Sequence, residues 1–155
     1  EHKDSLGHAE QIPAGDFQLM SAGSGIRHSE YNPSQTEPLS LLQIWIEPNE
    51  VGTTPGYQQK KIATQPGLTL VASPDGEDGS FRIRQQARIW RLQLATGETL
   101  EWALQGRHGY LHMISGELTG NGLAARPGDG LLSRDEASWM LTAAEGSEAL
   151  LFDLP

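Results

Sequence analysis

Short apolar runs separated by turn-forming residues most strongly restrict how this chain can fold. Each run has the length of a strand, and none continues with the long amphipathic period of a helix. The chain also contains 18 Gly and 9 Pro. We therefore predict an all-β fold, with no helix beyond a single turn at residues 135–137. The predicted strands cover residues 17–20, 39–46, 68–72, 81–83, 87–94, 100–104, 110–114, 131–132, 139–141 and 149–154.

Turn signals divide the chain into two parts. Asn121-Gly122 predicts a type I′ hairpin, because both central residues of that turn take a positive φ. The other strands follow one another at a spacing typical of a β-sandwich or jelly roll. Residues 48–66 interrupt this spacing with prolines and glycines. We therefore predict a front domain over residues 1–47, a linker over 48–66 and a back domain over 67–155.

An internal repeat supports this division. A Gly-Asp turn precedes a predicted strand at Gly15-Asp16 and again at Gly128-Asp129. Much more strand-like sequence lies upstream of the second turn than of the first. If both copies share one fold, the front copy lacks about its first half; the alternative is two unrelated turns. The chain begins with Glu1 rather than Met, and we expect further sequence upstream.

Charge and composition argue against several classes of protein. The formal net charge is −9, whereas binding to nucleic acid or a membrane surface needs clustered cations. The chain has no Cys, so any metal must be held by His and carboxylate. No apolar run approaches the ~18 residues of a membrane span, and no signal peptide opens the chain. We expect a cytoplasmic protein.

His28 and Glu30 form the most informative motif. They follow a tight turn allowed by Gly23 and Gly25, and residues two apart on a strand project from the same face. An imidazole and a carboxylate on one face provide half of a site for iron, manganese, nickel, copper or zinc. The alternative is a His-Ser-Glu triplet exposed on a polar loop.

The remaining histidines carry less weight. His2 and His8 lie among charged residues near the start of the chain, where we expect a solvated turn. His108 and His112 would share one face of a strand, but their only nearby carboxylate, Glu117, comes after a turn. Neither pair is expected to hold a metal.

The motif His28-Ser29-Glu30-Tyr31-Asn32-Pro33-Ser34 resembles the pirin family of the cupin superfamily. The likeness is strongest to bacterial members described as quercetin 2,3-dioxygenases. Further strings in family order extend it over nearly the whole chain. They are Glu1-His2-Lys3-Asp4-Ser5, Met20-Ser21-Ala22-Gly23, Leu42-Gln43-Ile44-Trp45-Ile46, Ser73-Pro74-Asp75-Gly76, Gly116-Glu117, Gly128-Asp129-Gly130 and Leu151-Phe152-Asp153-Leu154-Pro155.

The resemblance implies a bicupin of two tandem jelly-roll β-barrels, of which the first is incomplete in this chain. It also implies one divalent transition metal, most often Fe(II), held in the first barrel by three histidines and one glutamate. His28 would be the last histidine ligand and Glu30 the glutamate. The other two ligands belong to a His-x-His strand expected before Glu1. The second barrel is expected to hold no metal.

By the same resemblance, the full-length protein would be a dioxygenase that opens flavonols such as quercetin, with Glu30 as both ligand and catalytic base. One alternative is a regulatory module that contacts transcription factors and uses its metal as a redox sensor. Another is a cupin with an unrelated small substrate. We expect the present chain to bind metal weakly and to be inactive. A homodimer or strand-swapped dimer would cover its open barrel.

Overall fold

The computed structural model describes residues 1–63, 65–104, 108–134 and 136–155. Regular structure in this part of the chain is β-strand apart from one 3-10 turn at Glu77–Gly79, so the all-β prediction is confirmed. Asp135, the first residue of the predicted helical turn, lies outside the described residues. A search of the described residues finds no helix long and apolar enough to span a membrane. The chain divides into two compact units, Glu1–Ile62 and Ala63–Pro155.

The front unit, Glu1–Ile62, has five short strands in two antiparallel sheets. They are β1 (His2–Asp4), β2 (Ala9–Glu10), β3 (Phe17–Ser21), β4 (His28–Glu30) and β5 (Gly56–Lys60). β1 lies between β2 and β4, and β3 pairs with β5. The segment expected to be a linker, residues 48–66, therefore contains a strand of the front unit.

The prediction of a strand over residues 39–46 is wrong. These residues form no strand in the structure, although Leu39, Leu41, Leu42 and Ile44 give the segment an apolar sequence. Trp45 is 88% exposed. An apolar run becomes a strand only when another strand supplies hydrogen bonds and a core covers its side chains. In the described part of the front unit, no strand pairs with this segment.

The back unit, Ala63–Pro155, is a sandwich of two sheets. Its strands are β6 (Gly67–Ser73), β7 (Phe81–Arg82), β8 (Arg88–Leu94), β9 (Thr99–Ala103), β10 (His108–Ser115), β11 (Leu118–Gly120), β12 (Leu123–Ala125), β13 (Gly130–Ser133), β14 (Ser138–Ala143) and β15 (Ser147–Leu154). The larger sheet has the order β13-β10-β15-β8-β6-β7, and the smaller has the order β12-β11-β14-β9. The predicted sandwich or jelly roll agrees with this arrangement.

The core of the back unit lies between its two sheets. Leu92, Leu111 and Leu151 of the larger sheet are fully buried in one cluster with Leu141 and Trp102 of the smaller sheet. Burial alternates along β10 and β14, because successive side chains on a strand point to opposite faces. Apolar side chains therefore fill the interior of this unit.

The turns agree with their sequence signals. Asn121 and Gly122 have φ values of 46° and 86°, and they connect β11 to β12 as the predicted type I′ hairpin. The repeated Gly-Asp turns share one geometry, with φ of 89° at Gly15 and 90° at Gly128. In each turn the Asp backbone N–H donates to the carbonyl three residues earlier. The two Gly-Asp turns therefore have the same local conformation.

Candidate metal centre

The pairing of β1 with β4 places four titratable residues at adjacent positions. His2 lies opposite Glu30, and Asp4 lies opposite His28. Because side chains alternate along a strand, His28 and Glu30 share a face of β4, as do His2 and Asp4 on β1. The two predicted site residues are thus brought together, and two residues that the sequence motif did not include join them.

Three of these side chains are close enough to share a metal ion. The ligand atoms of His2, His28 and Glu30 all lie within 4.8 Å of one another. His2 Nδ1 is 3.8 Å from Glu30 Oε1, and the His2 and His28 rings are 5.6 Å apart between centroids. His2 is fully buried, the Glu30 side chain is 13% exposed, and His28 is exposed. Two imidazoles and a carboxylate are a suitable ligand set for a transition metal.

The expectation of a solvated turn at His2 is wrong. His2 lies in β1, and its ring stacks on Tyr57 of β5 at 4.5 Å with an interplanar angle of 19°. The alternation of His2, exposed Lys3 and Asp4 was the available signal, since it places the charge of Lys3 on the other face of the strand. His8 does remain partly open to solvent, with a side chain 40% exposed.

Asp4 is held by several hydrogen bonds. Its Oδ1 accepts from the backbone N–H groups of Leu6 and His8, at 2.9 and 3.1 Å. Its Oδ2 lies 2.8 Å from His8 Nδ1 and 3.3 Å from His2 Nε2. Burial alone would raise the pKa of Asp4, but the hydrogen bonds from His8, His2 and the backbone hold it well below its usual value. Asp4 is therefore a carboxylate at neutral pH.

The ionised Asp4 determines which nitrogen of His2 carries a proton. A carboxylate only accepts hydrogen bonds, so the Nε2 of His2 that faces it must be the protonated nitrogen. In neutral His2, the lone pair is then on Nδ1. That atom is buried and has no hydrogen-bond partner among the described residues. A divalent cation bound by Nδ1 and by Glu30 would satisfy both groups, so the residues present fit a metal.

Two glutamine side chains contact the Glu30 carboxylate. Gln18 Nε2 of β3 donates to Oε1, and Gln43 Nε2 donates to Oε2 at 2.6 Å. Sequence analysis did not identify either residue as part of the site. Gln43 belongs to one of the strings on which the family resemblance rests, and Gln18 carried no separate signal.

The glycine turn before β4 has the conformation that its sequence predicted. Gly23 has a φ of 54°, and Gly25 donates its N–H to the Ala22 carbonyl at 2.9 Å. A Cβ at Gly23 would collide with the Thr53 carbonyl oxygen. The same carbonyl accepts a hydrogen bond from the N–H of Ser24 at 2.8 Å. The chain therefore enters β4 along a path that only glycine permits.

His108 and His112 lie on β10 in the back unit. The residues between and beside them, Gly109, Leu111 and Met113, are buried in alternation. The two histidines thus share the face of β10 that points away from the core. In the described part of the back unit, no group of three metal-ligating side chains comes together.

Two family models match the sequence. The pirin model covers residues 1–46, and the model of the quercetinase C-terminal cupin domain covers residues 70–154. The two matches follow one another along the chain in the same order as the sequence strings that resemble the pirin family.

Individual relatives match over the whole chain. Quercetin 2,3-dioxygenase of Escherichia coli is 47% identical over 156 residues, which are 100% of this chain and 68% of that protein. A pirin-like protein of Caulobacter vibrioides is 39% identical over 157 residues, covering 98% of this chain and 67% of that protein.

The solved structures include a metal complex. The crystal structure of bacterial pirin YhhW from Escherichia coli in complex with nickel(II) has a TM-score of 0.95 and 48% identity to this chain. The match covers 100% of this chain and 67% of that one, so the present sequence spans about two thirds of the length of its relatives. With 47% identity to a bacterial quercetin 2,3-dioxygenase across its full length, and with both family models in order, the chain belongs to the pirin family of cupin proteins.

Proposed function

We propose that this chain contains part of the metal site of a cupin dioxygenase. His28 and Glu30 are the proposed ligands, and His2 is a third donor in the present chain. The observation that carries the proposal is the buried Nδ1 of His2, which has no hydrogen-bond partner among the described residues and lies 3.8 Å from the Glu30 carboxylate. Two lone-pair donors at this separation are well suited to bind a cation.

Fe(II) is the proposed metal. Imidazole and carboxylate ligands suit iron among the divalent transition metals, and iron is the metal that the family resemblance implies. The solved nickel(II) complex of the related YhhW supports the choice of a divalent transition metal. When bound, the metal would supply a Lewis acid for a substrate oxygen and a redox centre for dioxygen.

A flavonol is the proposed substrate, as the name of the Escherichia coli relative suggests. The role we assign to Glu30 is to accept the proton of the flavonol hydroxyl. A carboxylate that is largely shielded from water can act as such a base when the hydroxyl lies within hydrogen-bond reach. In this proposal Asp4 keeps the His2 ring in one tautomer.

The present chain is proposed to be a weak metal binder without dioxygenase turnover. We propose that residues 1–47 form the later part of a metal-binding barrel, that 48–66 connect it to a second barrel, and that 67–155 form that barrel. Two further histidine ligands would then come from an upstream His-x-His strand. Tight, stoichiometric iron in the purified 155-residue chain would contradict the proposed weak binding.

The flavonol assay tests the proposal directly. A polypeptide that joins this chain to an upstream His-x-His strand would be loaded with iron and mixed with quercetin under air. We expect flavonol absorbance to decay, and to decay far more slowly with His28→Ala. The matched control is His112→Ala, on the outward face of β10, which should behave as wild type. Equal decay with and without His28 would refute the assignment.

A further inference from the structure

Glu30 receives a hydrogen bond on each of its two carboxylate oxygens. Gln18 donates to Oε1 from β3, 12 residues earlier in the chain, and Gln43 donates to Oε2 from 13 residues later. One amide belongs to a segment that precedes β4 in the chain, and the other belongs to a segment that follows it. Together they fix both the position and the rotation of the carboxylate, which a single hydrogen bond would leave free to turn.

The chemistry of the donors matters as much as their number. A glutamine amide is neutral, so it orients a carboxylate without cancelling its charge, whereas Arg or Lys at the same position would form an ion pair. The full negative charge of Glu30 therefore remains available to a cation. Such hydrogen-bonded outer residues orient metal ligands in proteins generally.

The orientation of the Gln18 amide follows from its surroundings. If the amide were turned over, its Oε1 would face a carboxylate oxygen, and two acceptors would repel each other. In the observed orientation Nε2 faces Glu30, while Oε1 is buried with no hydrogen-bond partner among the described residues. The contact with Glu30 therefore decides which way the Gln18 amide is turned.

We propose that Gln18 and Gln43 are positioning residues that clamp the Glu30 carboxylate for metal binding. The metal-binding part rests on the proposed function, and the clamp itself rests on the two contacts. Gln18 is half-buried and Gln43 is exposed, so water competes more strongly for the second contact. Replacing Gln18 should therefore weaken metal binding more than replacing Gln43.

Cobalt(II) titration of the metal-free chain tests the proposal. We expect Gln18→Leu to weaken cobalt affinity by about 10–100-fold, and Gln43→Leu by less, as for other outer residues of metal sites. The visible absorbance of bound cobalt should also change, because Glu30 would bind differently. Gln58→Leu, at an exposed position of β5, is the matched control and should change neither quantity.

A double variant separates positioning from a general effect on folding. If Gln18 acts through Glu30, Gln18→Leu should weaken cobalt binding no further in a Glu30→Gln background. An additional loss of the same size in that background would overturn the proposal. Unchanged affinity and absorbance in both single glutamine variants would overturn it as well.

A measurement without metal keeps the clamp testable if the wild-type chain binds no cobalt, a result that would count against the proposed function alone. The side-chain amide protons of Gln18 and Gln43 are followed by NMR in the wild type and in Glu30→Gln. We expect both sets of resonances to move towards those of solvated amides in the variant, while the Gln58 resonances stay in place. Resonances of Gln18 and Gln43 that do not respond to Glu30→Gln would refute the clamp.

Discussion

His2 and Glu30 face each other across β1 and β4, with 3.8 Å between Nδ1 of the imidazole and Oε1 of the carboxylate. The other nitrogen of His2 faces Asp4, so the ring lies between two carboxylates. Hydrogen bonds hold Asp4 in place on the Nε2 side of the His2 ring. On the other side, the buried Nδ1 of His2 faces the Glu30 carboxylate, and we propose that these two groups bind a metal ion.

Asp4→Asn should weaken metal binding although Asp4 is not itself a proposed ligand. Without the charge of Asp4, the form of His2 with its proton on Nε2 is no longer favoured. Nδ1 then offers its lone pair to a metal less often. We expect nickel(II) affinity to fall about 10-fold, as measured by calorimetry. Asp78→Asn, in the back unit, is the control, because Asn tolerates the positive φ of 53° at that position. Equal nickel affinity in both variants would argue against a role for the His2 tautomer.

The phenol of Tyr57 should lose its proton at a higher pH than an ordinary tyrosine. Burial raises its pKa above the ordinary value of 10.0, and the nearby charges of Glu10, Glu30 and Asp4 add to the effect. The neutral phenol is therefore favoured in the folded state, and this stabilisation is complete below pH 10 and lost as the pH rises further. Ultraviolet difference titration of wild type against Tyr57→Phe measures the pKa.

The same titration connects Tyr57 to the candidate site. Glu30→Gln removes one of the negative charges that oppose ionisation, so the pKa of Tyr57 should move down towards 10.0. A Tyr57 phenol that ionises at or below the ordinary value in the wild type would show that the ring is more open to water than the stacked arrangement on His2 allows.

Leu111→Ala should destabilise the back unit without changing metal affinity. Leu111 is fully buried between the two sheets, and removing such a side chain costs about 2–5 kcal/mol. Urea unfolding monitored by tryptophan fluorescence measures the loss, since Trp90, Trp102 and Trp139 all contact this core. Leu123→Ala, at a position 63% exposed, should have little effect. Weakened nickel binding in Leu111→Ala would contradict the placement of the site in the front unit.

Self-association should depend on the exposed apolar residues of the front unit. Trp45 is 88% exposed and Val51 is 93% exposed, and exposed apolar groups of this size favour association. The homodimer or strand-swapped dimer stays a prediction. Sedimentation velocity over a range of concentrations should show a dimer that Trp45→Ser weakens. A monomer at every concentration in the wild type would contradict it.

The sequence predicted the back unit well because its signals are local. The short apolar run of residues 110–114 and the Asn121-Gly122 turn each fix structure within a few residues. The segment 39–46 shows the limit of this approach, since its apolar residues form a strand only if another segment pairs with it. Its local pattern could not show whether such a partner is present.

The candidate site was predicted only in part, for the same reason. His28 and Glu30 are two residues apart, and strand geometry relates them directly. His2 reaches Glu30 only through the pairing of β1 with β4, and Gln18 and Gln43 come from other segments. Contacts of this kind depend on the register between distant strands, which no short motif in a single sequence specifies.

Anomalous diffraction from nickel-soaked crystals of this chain tests the central claim most directly. Data collected at the nickel absorption edge locate the ion without any assumption about its ligands. We predict one peak in the front unit, in contact with the His28 and Glu30 side chains and with Nδ1 of His2, and its loss in Glu30→Gln. A peak only at His108, His112 or another surface histidine, or no peak at saturating nickel, would contradict the proposed site.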